Sequence, residues 1–205
     1  RETRIVPFIF SNDEVAIFAL SNNRLDVYNS SGTAIQANIT SNCNWTTAQL
    51  FDLNLAQFGD TVIVCHRDNP IRKIIRASAS SFSVSALSFS THSSGYPRYQ
   101  PYYKYEDDSV TLTPAATTGS GVNVTASSAI FDSDANWVGK TLRIGAKEVD
   151  ITARTNTTVV VVTVRETLAS TSANSDWDET LYSVHRGFPQ AVTFHDNRLW
   201  FGGNP

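Results

Sequence analysis

Apolar and polar residues alternate along short stretches of this chain, and three of those stretches share one design. Each has an alternating strand, a tight turn rich in Asn or Asp, and a second strand that opens on a basic or apolar residue. The fullest copy is Ala191–Gly203, AVTFHDNRLWFGG, turning at Asp196 and Asn197. A second runs from Val15 to Tyr28 and turns at Asn22 and Asn23. The third, Thr61–Ile71, turns around Asp68 and Asn69 with one extra residue. Asx residues tolerate the left-handed backbone of a tight hairpin. The alternation on either side fixes the register, because a slip of one residue would turn every apolar side chain outward.

The rest of the chain reads as further short strands. Residues 4–10 carry Pro7, which suits an edge or a bulge. Residues 47–58 form a short turn-like or strand-like element, and Phe82, Val84 and Ala86 alternate with strand period. After residue 106 come Val110–Thr113, Val122–Ala126, Thr141–Ile144, Glu148–Thr152 and Thr158–Val164. The run of valines and threonines at 157–164 is too β-branched for a good helix and too short to span a bilayer, so it is placed as the central strand of a small sheet or barrel.

Spacing turns these hairpins into a repeat. Asn23 and Asn69 stand 46 residues apart, and four-stranded propeller blades recur every ~40–50 residues. Asn69 and Asn197 stand 128 apart, one such period with 82 residues left over, as a single inserted domain would give. The expectation is an all-β chain: part of a propeller-like array with an inserted small β-sandwich or barrel. Its predicted parts are hairpin units over 1–95, a Tyr- and Pro-rich connector over 96–105, the inserted β-domain over 106–182, and a truncated return to the repeat over 183–205.

Composition narrows the picture. Charged residues make up 17 % of the chain and the net charge is −3, which gives no electrostatic footprint for capturing nucleic acid. No apolar run reaches the ~20 residues that cross a bilayer. The chain has no methionine and starts within a charged stretch, so it reads as an excerpt of a longer polypeptide. Cys43 and Cys65 set no disulfide framework, and Cys65 alternates with Ile63 as a buried thiol would. Asn38, Asn44, Asn123 and Asn156 open Asn-x-Thr triplets that a Thr-rich chain produces by chance.

Candidate chemistry is thin. Asp132, Asp134 and Asn136 open like a calcium loop, but Trp137 stands where the turn glycine belongs and Arg143 where the closing acid belongs. Asp176, Asp178 and Glu179 flank Trp177, and paired acids beside an aromatic ring are the raw material of a glycosidase. Adjacent acids at a linker end are more often solvated. His66, His92, His185 and His195 lack zinc spacing, and no nucleophile elbow or phosphate loop is present. No catalytic residue, cofactor or metal is therefore expected. Tyr96, Tyr99, Tyr102, Tyr103 and Tyr105 are expected to pack at a domain or subunit boundary.

Two blocks carry a family resemblance. The opening Arg1–Ser11, RETRIVPFIFS, and the closing Arg186–Gly203, RGFPQAVTFHDNRLWFGG, resemble the tubular or nozzle proteins of short-tailed bacteriophages. Asp52–Leu53, Ala56–Gln57, Val62–His66, Pro70–Lys73 and Trp137–Ile144 follow in the same order. The resemblance implies a non-catalytic ring subunit, typically in six copies, with a propeller and inserted β-domains. It further implies other tail proteins as neighbours, assembly in the host cytoplasm, a place in the virion, and passage of DNA without specific binding. The chain is too short for a whole propeller. The competing expectation is a carbohydrate-binding or receptor-recognition module that stacks sugars on Trp45, Trp137 or Trp177.

Overall fold

Each alternating segment becomes a strand, and consecutive strands pair antiparallel across short turns. The computed structural model describes residues 2–12 and 14–203. It comprises two units, the first from Arg1–Ser88 with Gly187–Pro205 and the second from Phe89–Arg186. The protein is all-β, in several antiparallel sheets of which none closes.

Unit 1 begins with two meanders of identical order. β1 (Arg4–Ile9), β2 (Val15–Ser21), β3 (Arg24–Asn29) and β4 (Ala34–Ile39) form the first sheet, and β5 (Asn54–Phe58), β6 (Thr61–His66), β7 (Asn69–Ser78) and β8 (Ser81–Ala86) the second. Pro7 lies on the edge strand β1, where a missing N–H breaks no interior ladder. One apolar face of the first sheet, with Phe8, Phe18, Leu20, Leu25 and Val27, packs on Val62, Val64, Ile74, Phe82 and Val84 of the second. Phe8, Phe18 and Phe82 meet ring to ring with centroids 5.1–5.8 Å apart. The link between the sheets is drawn into the same core through Cys43, Trp45, Leu50 and Leu53, with the Trp45 indole N–H donating to the Ser21 carbonyl at 3.0 Å.

Unit 2 is one seven-stranded sheet. Its strands are β9 (Tyr102–Tyr103), β10 (Leu112–Pro114), β11 (Gly119–Ala126), β12 (Thr141–Ile144), β13 (Lys147–Arg154), β14 (Val159–Val164) and β15 (Trp177–Thr180), in the order β10-β11-β14-β13-β12-β15-β9. A single helical turn, α1 (Asp134–Trp137), is capped by the Ser133 side chain. The sheet rolls over a core of Val124, Phe131, Trp137, Leu142, Val149, Val160 and Val162, all fully buried. A bridge between Leu112 and Asn174, with two N–H···O bonds of 2.9 Å, links β10 back toward β15. That contact is one residue pair, so the expected barrel is left open. The valine run supplies β14, an interior strand between β11 and β13.

The chain then returns to unit 1 as the hairpin β16 (Ala191–His195) and β17 (Arg198–Gly202). Its Val192, Phe194, Leu199 and Phe201 cover Ile63, Cys65 and Ile71 on the far face of the second sheet. That sheet is thus buried on both faces, which explains why β6 reads as an unbroken apolar run.

Candidate functional site

The densest polar chemistry lies in unit 2, in two clusters on opposite faces of the rolled sheet. Strand alternation creates both. On β13, Val149 and Ile151 enter the core, so Glu148 and Asp150 take the other face. On β15, Trp177 is in the core, so Asp178 and Thr180 lie on the outer face.

The outer cluster gathers under the segment 96–102. Asp150 accepts from Arg98 Nη2 at 2.9 Å, Arg165 Nε at 2.9 Å and the Thr141 hydroxyl at 2.7 Å. Burial alone would raise the Asp150 carboxyl; these bonds outweigh it and hold the group below its ordinary value. Glu148 is completely buried. Its Oε1 accepts from the Arg98 backbone N–H at 2.7 Å and the Tyr102 hydroxyl at 2.6 Å, while Oε2 has no hydrogen-bond partner among the described residues. Burial, and then the bond to Glu148, keeps the Tyr102 phenol well above its ordinary value, so it stays a donor. Arg143 pairs with Asp178 and lies 4.1 Å above the Tyr102 ring.

The inner cluster centres on Glu179, also completely buried. It is held by Lys140, and by Arg186 through Nη2 at 2.6 Å and Nε at 3.1 Å. Arg186 reaches Glu106 at 3.2 Å and sits 4.4 Å above the Tyr105 ring. Lys140 Nζ stands 4.3 Å above the Trp137 ring. Burial pushes the Lys140 ammonium below its ordinary value despite the adjacent carboxylate.

The residues singled out from the sequence are distributed as follows. Tyr96, Tyr102 and Tyr105 are tied into unit 2, through Asp150, Glu148 and the Leu181 carbonyl respectively; Tyr99 and Tyr103 are exposed. Asn22 and Asn23 form the β2–β3 turn, and Asp196 and Asn197 the β16–β17 turn, both of the latter at positive φ. In the third hairpin the two turn residues are Arg67 and Asp68, while Asn69 pairs with His66 as the first residue of β7. Asp132 accepts from Ser133 N, Asn136 Nδ2 and the Trp137 indole, so the calcium-like motif is the entry to α1. Among the described residues no group of three or more His, Cys, Asp or Glu side chains is placed to hold a metal ion. Asp178 and Glu179 face opposite sides of β15, each already ion-paired, so they do not flank a common bond. Trp45, Trp137 and Trp177 are all buried, which removes the expected sugar-stacking platform. Both cysteines are buried free thiols, pushed up to about 12 by burial.

Arg98, Lys140, Glu148, Asp150 and Arg186 belong to no sequence motif that marks them as partners in these clusters. The available signal was the Glu148-Val-Asp150-Ile alternation, two acids on one face of a strand whose other face is core.

Unit 1 has one further feature, a cleft of about 440 Å³ with Phe8, Val15, Ile35 and Phe82 in its walls. Arg76, also in its lining, is engaged by Glu14 and by Asp60 at 3.0 Å, and lies 4.1 Å over the Phe10 ring. Among the described residues no helix is long and apolar enough to cross a membrane. No family model matches the chain, and no curated protein matches it.

Proposed function

We propose that this chain is a non-catalytic structural subunit of a short-tailed phage tail, part of the nozzle or tubular ring through which DNA leaves the capsid. The observation that carries the reading is the serial stacking of like meanders: first sheet on second, second on the returning hairpin, with the 98-residue unit spliced between. That arrangement suits a propeller-like array with an insert in one inter-blade connection. The resemblance of the opening and closing blocks to nozzle proteins points the same way. Asp150, Asp178 and Glu179 of unit 2 are each held by cations, which suits a structural role for these carboxylates. A mildly acidic wall rich in Ser and Thr lets DNA slide past without gripping it.

In this reading the copies associate as a ring, six by the family resemblance, through heterologous contacts. Tyr99 and Tyr103, exposed by 58 % and 56 %, are the tyrosines placed to contribute. Light scattering and negative-stain microscopy of the purified chain test the proposal. Annular particles with a central channel are expected, and Tyr99→Ser with Tyr103→Ser should reduce them to monomers without changing the circular dichroism. A monomer at every concentration, or strong selective binding on a glycan array, would sink it.

A further inference from the structure

Residues 89–109, which include the segment where the chain leaves unit 1, place no side chain in any apolar core, and none of them is buried. Their main-chain pairing to the rest of unit 2 runs through Tyr102 and Tyr103 against Thr180 and Glu179, with the Leu181 N–H donating to the Pro101 carbonyl at 3.0 Å. What fastens the 96–102 stretch is a set of directed polar bonds onto two acids of β13. Arg98 uses its guanidinium on Asp150 and Thr141 and its backbone N–H on Glu148; Tyr96 and Tyr102 add one hydroxyl each, to Asp150 and Glu148.

We propose that Phe89–Tyr103 is a detachable strap: it undocks from the outer face of β12, β13 and β15 as one piece while the core beneath stays folded, releasing a length of free chain at the exit from unit 1. Two physical arguments support this. Undocking withdraws no side chain from any apolar core, so the hydrophobic resistance is confined to the partly buried rings and prolines of the strap itself, chiefly Tyr96 and Tyr102. It also lets water reach Glu148 Oε2, which the docked strap leaves without a partner, and that hydration offsets part of the lost bonding. The groups that face the strap's two anchors are Arg165 and Thr141 at Asp150, and Arg143 with its partner Asp178 beside Tyr102 and Glu148. They remain behind when the strap leaves, so Asp150 keeps one cation. The inference does not require ring assembly, and because Tyr99 and Tyr103 also lie on the surface proposed for ring contacts it is tested on the monomeric chain.

Limited chymotrypsin digestion of the full chain at neutral pH tests it, with cut sites assigned by mass spectrometry and tryptophan emission followed in parallel. Arg98→Ala should raise cleavage after Tyr99 and Tyr103 by about tenfold or more, with the emission of buried Trp137 and Trp177 unchanged. Tyr102→Phe keeps the ring beneath Arg143 and removes only the hydroxyl donated to Glu148; it should give a smaller rise at the same sites. Unchanged cleavage in both variants, or cleavage that rises only in step with loss of the folded tryptophan signal, would overturn the proposal.

Discussion

Glu179 has no exposed surface and two cations on its carboxylate, and that combination decides how unit 2 answers substitution. Removing one partner of a buried pair leaves the other desolvated and uncompensated. Glu179→Ala should therefore cost unit 2 about 3–5 kcal/mol, read as a lower urea midpoint by tryptophan fluorescence. Acid acts on the same neighbourhood. Burial, then repulsion from Arg186 and Lys140, holds His185 below its ordinary value. The unfolded chain takes up a proton there that the folded chain refuses, so stability falls as pH drops below about 6.5. Asp132 and Asp150 are also held low, by hydrogen bonds that overrule burial, so a further loss follows below about pH 4. Melting temperature against pH should show both declines, and His185→Gln should abolish the first while leaving the second. None of these partnerships is legible in the sequence. Lys140 and Glu179 look like solvated surface charges, because a linear pattern shows which face a residue takes but not what arrives from 39 positions away to meet it.

At the level of strands and turns the sequence is far more transparent. The hairpins at Asn22-Asn23 and Asp196-Asn197 form where the Asx pairs stand, since local backbone preference and alternation agree there. The β16–β17 turn has φ of +48° at Asp196 and +57° at Asn197. Asn197→Val should thus cost about 1–2 kcal/mol, visible as faster amide exchange across the hairpin, whereas Asn197→Gly should be tolerated. Gly203 closes the same element at φ +97°, and an added Cβ would sit 2.9 Å from Gln190 Cβ and 3.0 Å from its backbone nitrogen. Gly203→Ala should loosen the hairpin in the same assay. Two elements were hidden for physical reasons. Tyr102 and Tyr103 make a strand of two residues, too short to display any period. The Asp68-Asn69 pair misleads because Arg67 and Asp68 close that turn with ordinary negative φ, so no Asx-favoured backbone marks the position.

For the molecule as a whole, the decisive fact is that the buried clusters of unit 1 and unit 2 share no residue. Calorimetry should accordingly resolve two transitions. Phe18→Ala should remove about 3–5 kcal/mol from one of them and leave the other in place. Spacing alone predicts an interruption between Asn69 and Asn197, and unit 2, Phe89–Arg186, lies within that interval. The order of the chain has a further consequence during synthesis. Roughly 120 residues separate Ile71 from Val192, the first of the hairpin's residues to cover it. At about 5–20 residues per second, the ribosome leaves the Ile63–Cys65–Ile71 surface bare for several seconds or longer. A newborn chain with that greasy window open is a natural client for chaperones, and slowing translation within the insert should lower the soluble yield.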